Sequence, residues 1–158
     1  MLTVATIGVY GWDQQSFLAA LAKHAVRRVV DVRQRRGVRG RQYAWANSLR
    51  LQHALAVAGI GYSHHPELAP TTELRHLQYA EDARVGAGKR SRVTLASEYT
   101  RRYRREILER VDLGAFVSNL PAGQVSALLC VERDAPACHR SLIAERLAAR
   151  HEVRVLNI

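Results

Sequence analysis

Val125-Ser126-Ala127-Leu128-Leu129-Cys130-Val131-Glu132-Arg133-Asp134-Ala135-Pro136-Ala137-Cys138-His139-Arg140-Ser141 is the stretch whose reading decides the fold. Its first five residues are an apolar run of strand length, and Leu142-Ile143-Ala144-Glu145-Arg146-Leu147 beyond it has helical spacing. A thiol, a carboxylate and a Cys-His-Arg triplet therefore lie between the carboxyl end of a buried strand and the amino end of a helix. In open α/β sheets, loops at strand carboxyl ends line a crevice, and helix amino termini present unpaired N–H groups to anions. The segment reads as a hydrolytic or transfer site. It also suits an ordinary strand-to-helix turn, with Asp134 as the cap and Pro136 in the first turn. Capping does not call for the Cys-His-Arg cluster.

Working outward, Val4-Ala5-Thr6-Ile7-Gly8 reads as a first buried strand ending in a glycine turn. Asp13 caps a helix over about 14–24 with Phe17, Leu18 and Leu21 on its apolar face. Val26 to Val32 is a second strand with Asp31 near its end. Asn47 or Ser48 starts a helix carrying Leu49, Leu51, Leu55 and Val57, closed by Gly59, and Ile60 to His64 is a weaker strand. The span of about 66–95 is polar and reads as irregular, either an insertion over the sheet edge or a mobile flap. Helices are predicted over Ser97–Leu108, Leu113–Leu120 and about 137–150, and Val153 to Leu156 closes the sheet. Strands alternating with helices of this length predict an α/β fold: a single three-layer Rossmann-like domain over 1–158, its mostly parallel sheet covered by helices on both faces.

The 158 residues suffice for one domain with a substantial core, and 47% apolar content argues against disorder. No signal-like start is visible, and no apolar stretch approaches the roughly 20 residues that cross a bilayer. Two cysteines make no disulfide scaffold. The expectation is a soluble cytoplasmic protein with no membrane partner. Lys and Arg number 24 against 14 Asp and Glu, a formal charge of +10. Such an excess, mostly arginine, predicts a polyanionic partner, because the guanidinium fork pairs bidentately with phosphate. GC-rich coding also yields arginine-rich chains, so charge alone names no partner.

The strand ends bring together Gly8 to Trp12, Asp31 to Arg33, His64 to Glu67, and Cys130 to Arg140. Gly8 and Gly11 permit close backbone approach, but neither GxGxxG nor GxxxxGK[ST] occurs. Tyr10 and Trp12 suit stacking on a base, or Trp12 belongs to the core. Asp31 and Glu132 are the candidate catalytic carboxylates, able to activate water or stabilise an oxocarbenium-like centre. An ion pair between Asp31 and Arg33 is the competing reading. Arg33, Arg35, Arg36, Arg39 and Arg41, with Tyr43 and Trp45 just beyond, form a basic loop at about 33–46 suited to a phosphate backbone. Gly8, Tyr10, Trp12, His64, Glu67, Cys138, His139 and Arg140 are the candidate substrate-binding residues.

Cys130, Cys138, His139, His64 and His65 supply sulfur and nitrogen, but Cys-x7-Cys-His matches no zinc motif, and adjacent Cys138 and His139 are awkward for one tetrahedral ion. Neither metal nor cofactor is expected. Cys138 at a helix amino terminus beside His139 and Arg140 would have a lowered thiol pKa and nucleophilic character, unless burial makes it inert.

Thr6-Ile7-Gly8, Asp31-Val32-Arg33, Pro66-Glu67-Leu68, Cys130-Val131-Glu132 and Cys138-His139-Arg140-Ser141 together resemble the family filed as domain of unknown function 488. The resemblance implies a Rossmann-like α/β domain with these segments around one cleft, and it points towards removal of modified bases from DNA. Many relatives carry His-Ser after the first glycine where this chain has Val9-Tyr10.

The functional expectation is a DNA-acting enzyme, with DNA favoured over RNA: a hydrolase that removes a modified pyrimidine as a DNA glycosylase. Such an enzyme grips phosphate, extrudes the base, stacks it on aromatics and stabilises positive charge on the sugar. Two alternatives stand beside it, a non-catalytic nucleic-acid-binding protein and a thiol-dependent transferase using Cys130 or Cys138 on a small anion.

Overall fold

Five short segments become the five strands of one sheet: β1 (Leu2–Ile7), β2 (Val26–Asp31), β3 (Gly61–His64), β4 (Val125–Leu129) and β5 (Val153–Asn157). A computed structural model describes residues 1–158. The strand order is β3-β2-β4-β1-β5, and every pairing is parallel. Parallel neighbours require crossovers, supplied by α1 (Gln14–Lys23), α2 (Ser48–Val57), α3 (Thr72–Arg84), α4 (Ser97–Tyr103), α5 (Leu113–Ser118) and α6 (His139–Arg150).

Strand β4 lies at the centre, paired to β1 on one side and β2 on the other. Its alternation divides the core. Leu128 and Cys130 face one layer, while Ala127, Leu129 and Val131 face the other. The first layer is filled by Leu74, Tyr103, Phe116, Ile143 and Leu147 from α3 to α6; the second by Phe17, Leu21, Leu51 and Leu55 from α1 and α2. Each such side chain, fully buried, contributes about 1.5–3 kcal/mol. The fold is thus a three-layer Rossmann-like α/β domain. Helix α1, after β1, and α6, after β4, cover opposite faces, so the crevice outside these adjacent strand ends is a topological switch point.

The largest departure from the sequence reading is in 66–95. Thirteen residues of it form α3, with Thr71 Oγ1 accepting from Leu74 N at 3.2 Å as its cap. The helix lacks an apolar stripe because part of its inward face is polar. Buried Gln78 donates to Asp82 at 2.9 Å and accepts from Ala96 N at 2.9 Å, while Asp82 pairs with buried Arg92 at 3.0 Å. Helix α4 matches its expected start, and its final turn, Arg104–Leu108, widens into a π-turn.

At the switch point the segments that follow β1 and β4 stay in close contact. The N–H groups of Val9 and Tyr10 both donate to Val131 O at 3.0 Å. A Cβ at Gly8 would overlap the Glu132 carbonyl, so only glycine fits without displacing backbone. Gly8 therefore serves the meeting of two chain segments, which replaces its expected contact with substrate. Gly8→Ala is expected to destabilise the fold by about 1–3 kcal/mol or more, as overpacking does. Urea unfolding followed by circular dichroism measures this, and an unchanged midpoint would contradict the close approach.

Candidate active site

Asp31-Val32-Arg33, at the end of β2, is the anchor of the site. Asp31 is fully buried; its Oδ1 accepts from Arg33 N at 3.1 Å and Nε at 2.9 Å, and its Oδ2 from Arg33 Nη2 at 2.7 Å and the Tyr62 hydroxyl at 2.6 Å. The remaining guanidinium nitrogen of Arg33 donates to Ala46 O at 2.8 Å. A carboxylate with both oxygens occupied and no exposure has no room for water or sugar. The ion-pair reading of Asp31 holds, and the catalytic expectation for it is corrected. Arg33 is likewise spent inside the fold, although an edge of it reaches the cleft.

Other expected site residues are also placed elsewhere. Trp45 is buried with its ring 4.8 Å from that of Phe17, so it is a core residue and not a base-stacking platform. Trp12 packs half-buried against the same layer. His64 Nε2 bonds Arg33 O at 2.9 Å, and exposed Glu67 pairs with His65 Nδ1 at 2.7 Å; neither lines the cleft. Arg140 donates to Glu132 O at 2.7 Å and Arg133 O at 2.9 Å, which fixes the loop after β4 from within. Arg36 turns to the Tyr62 hydroxyl at 3.3 Å, and Arg41 is exposed outside the cleft. Tyr43 supports Tyr10 from behind, their rings 5.0 Å apart.

The remaining expected residues do meet. A cleft of about 570 Å³ opens at the carboxyl end of β4, lined by Tyr10, Arg35, Arg39, Glu132, Cys138 and His139 together with Cys130. Its opposite wall comes from the span read as irregular. Arg75, Gln78 and Tyr79 of α3 face it, followed by Lys89, Arg90 and Arg92, with Tyr99 from α4. The sequence signals for that wall were Arg75 and Tyr79 one helical turn apart and the basic run Lys89-Arg90-Ser91-Arg92. Arg75 holds Gln34 Oε1 at 2.8 Å and the Tyr79 hydroxyl at 3.0 Å, joining the two walls. Arg90 lies 5.3 Å from the ring centres of both Tyr10 and Tyr43 and donates to Arg39 O at 3.1 Å. Against these cations the cleft presents one carboxylate, Glu132, which is buried and 3.6 Å from Arg92 Nη1.

The floor is a cluster of sulfur, nitrogen and carboxylate. Cys130 Sγ donates to Glu132 Oε2 at 3.3 Å, and both Cys130 Sγ and Cys138 Sγ lie 3.7 Å from His139 Nδ1. His139 Nε2 donates to Val32 O at 2.9 Å, which turns Nδ1 to the sulfurs, where it accepts from a thiol in the neutral ring and donates to a thiolate in the charged one. Burial pushes the Cys130 thiol well up, helped by its hydrogen bond with Cys138. At Cys138 burial acts in the same direction, but the hydrogen bond from Cys130 and the charges of His139 and Arg140 outweigh it and hold the thiol well down. Burial and the neighbouring Cys138 also raise Glu132, against the pull of Lys89 and Arg92. Cys130, Cys138 and His139 are the residues able to hold a metal, their donor atoms all within 4.8 Å of one another. The arrangement can bind an anion at its walls and place a carboxylate against positive charge or water at its floor.

Comparison with known proteins agrees with the resemblance. The model of the family described as "Domain of unknown function DUF488" matches residues 13–147, and the chain belongs to this family. No curated protein and no solved structure matches it.

The anchor can be tested by removing half of it. Arg33→Leu strands Asp31 as an uncompensated buried carboxylate and is expected to cost about 3–5 kcal/mol. Asp31→Ala strands the guanidinium and is expected to cost a similar amount. Denaturant unfolding of both variants gives the values, and wild-type stability in either would mean that the pair is not a structural anchor.

Proposed function

We propose that this family member is a DNA-acting hydrolase of the cytoplasm that cleaves the N-glycosidic bond of a modified pyrimidine, with Glu132 as its catalytic carboxylate. The observation that carries the reading is the pairing of a cation-lined cleft with one buried carboxylate on its floor. Its size, about 570 Å³, lies within the range of small-molecule sites and admits one nucleotide, not a duplex. DNA would therefore enter as an extruded nucleotide, the way enzymes reach the bonds of a stacked base.

Each part has a task in that reading. Arg35, Arg39 and Arg90 at the rim receive the phosphates that flank the extruded nucleotide. Tyr10 and Tyr79, both in the cleft lining, supply the aromatic groups beside which the base would lie. Breaking the glycosidic bond develops positive charge on the sugar, and a fixed carboxylate in a site shielded from bulk water stabilises that charge far more than it does in water. Glu132 is held for this by Cys130 and by Arg140, which donates to the Glu132 carbonyl and to the Arg133 carbonyl after it. No helix is long and apolar enough to cross a membrane.

Two measurements test the proposal. Incubation with oligonucleotides carrying a panel of modified pyrimidines, followed by alkaline cleavage, should reveal abasic sites for at least one base. Glu132→Gln, folded by circular dichroism, is expected to lower that yield by about 100-fold or more while keeping DNA affinity. Binding without abasic sites on any base would reduce the chain to a non-catalytic binder, and a fully active Glu132→Gln would remove the carboxylate from the chemistry.

Duplex affinity should also fall with salt, with a log–log slope of about −0.9 per phosphate contacted. Replacing Arg35, Arg39 and Arg90 by Ala is expected to weaken binding and flatten that slope. Arg41→Ala, outside the cleft, should change neither, and equal effects from both sets would detach the cleft from the interface.

A further inference from the structure

We propose that Cys130, Cys138 and His139 form a binding site for a soft divalent cation, Zn²⁺, on the floor of the cleft. The proposal is independent of which substrate the cleft takes. Three donors from two segments, one after β4 and one at the amino end of α6, have all their ligand atoms within 4.8 Å of one another. Both sulfurs lie 3.7 Å from His139 Nδ1. Tetrahedral zinc with Zn–S near 2.3 Å and Zn–N near 2.0–2.1 Å requires S···N edges of roughly 3.6 Å. The cluster already has those edges. Adjacent Cys138 and His139 reach one point because Cys138 has extended backbone, φ −140° and ψ 147°, and His139 begins the helix.

The surroundings support the same assignment. His139 Nε2 is engaged by the Val32 carbonyl at 2.9 Å, which fixes the tautomer and aims Nδ1 at the sulfurs, as outer-shell partners do for metal-bound histidines. One Nδ1 lone pair cannot accept from two thiols at once. Cys130 also reaches the Glu132 carboxylate at 3.3 Å, whereas the polar neighbours of Cys138 Sγ are Cys130 and Nδ1, both within the cluster. A cation resolves the convergence: two thiols release two protons, two thiolates bind, and the site as a whole stays neutral. All three residues line the cleft, so the fourth position opens to it. Glu132 Oε2, 3.3 Å from Cys130 Sγ, borders the cluster and would give up its hydrogen bond from Cys130 when that thiol binds metal.

The test uses the whole reduced protein with zinc chloride, and cobalt chloride as a spectroscopic stand-in. One equivalent of Zn²⁺ should resist dialysis, and Co²⁺ should give thiolate-to-metal charge transfer with the intense visible bands of a tetrahedral site. Cys138→Ser and His139→Ala should each lose more than the roughly 10–100-fold in affinity that outer-shell changes cost. Should either variant fail to fold, the wild-type stoichiometry and cobalt spectrum decide alone. Octahedral cobalt bands, no bound metal, or full affinity in a folded Cys138→Ser would overturn the site. So would rapid formation of a Cys130–Cys138 disulfide in a protein that takes up no metal when reduced. A protein that binds zinc but forms no abasic sites would sink the glycosylase reading and leave this one standing.

Discussion

The buried Asp31–Arg33 pair is the interaction from which the site is built. In an interior of low dielectric, neither charge is tolerable without the other, so the two side chains fix the backbone between them. That backbone then serves as a hub. Asp31 O accepts from His65 N at 2.8 Å, Val32 N donates to Leu129 O at 3.1 Å, Val32 O meets His139, and Arg33 O meets His64. Three residues thereby tie β2 to β3, β4 and α6, and through Ala46 to the turn that carries Trp45. The cleft floor owes its geometry to a pair that takes no part in its chemistry.

Most of the fold was legible in the chain, because buried parallel strands are short, almost wholly apolar runs with turn signals at their ends. Val125–Leu129 read that way and is a strand, and the stretch read as a strand from Val26 to Val32, apolar from Val29 onward except for Asp31, is β2 over Val26–Asp31. Helix α3 was not legible. Its core-facing positions include Gln78 and Asp82, whose burial depends on Arg92 and the Ala96 amide, and an apolar period cannot register partners that lie ten or more residues away. One cleft wall was lost with it. The carboxylates illustrate a different limit. Asp31 ends β2 and Glu132 lies just past the end of β4, yet the first is locked to an arginine two residues on, while the second, near Arg92, faces a cavity. Trp45 sits beside arginines in sequence but beside Phe17 in space.

The basic charge is likewise divided by packing. Arg33, Arg92 and Arg140 are buried and spend their donors on carboxylates and backbone carbonyls. Arg102 spends its own on Glu73 and Glu106. Charges free to meet an anion are therefore fewer than the 24 Lys and Arg residues of the chain, and several of them gather along one cleft. A field concentrated in a concave, low-dielectric site acts more strongly on a ligand than the same charge spread over a surface.

Strand β4 sets the time at which any of this exists. Strands β1 and β2 are not neighbours; each pairs with β4, which is the fourth strand to be synthesised and the middle one in space. Until residues 125–129 emerge, the sheet has a gap at its centre, with two apolar strands that have no common edge. Pairings this distant in sequence close slowly, and chains waiting for them expose strand edges to other chains. Insertion of β4 joins the halves, and the same few residues carry Cys130 and Glu132 into place. Joining the two halves of the sheet and bringing the β4 side of the cleft floor into place are one event, so a chain that ends before β4 lacks both.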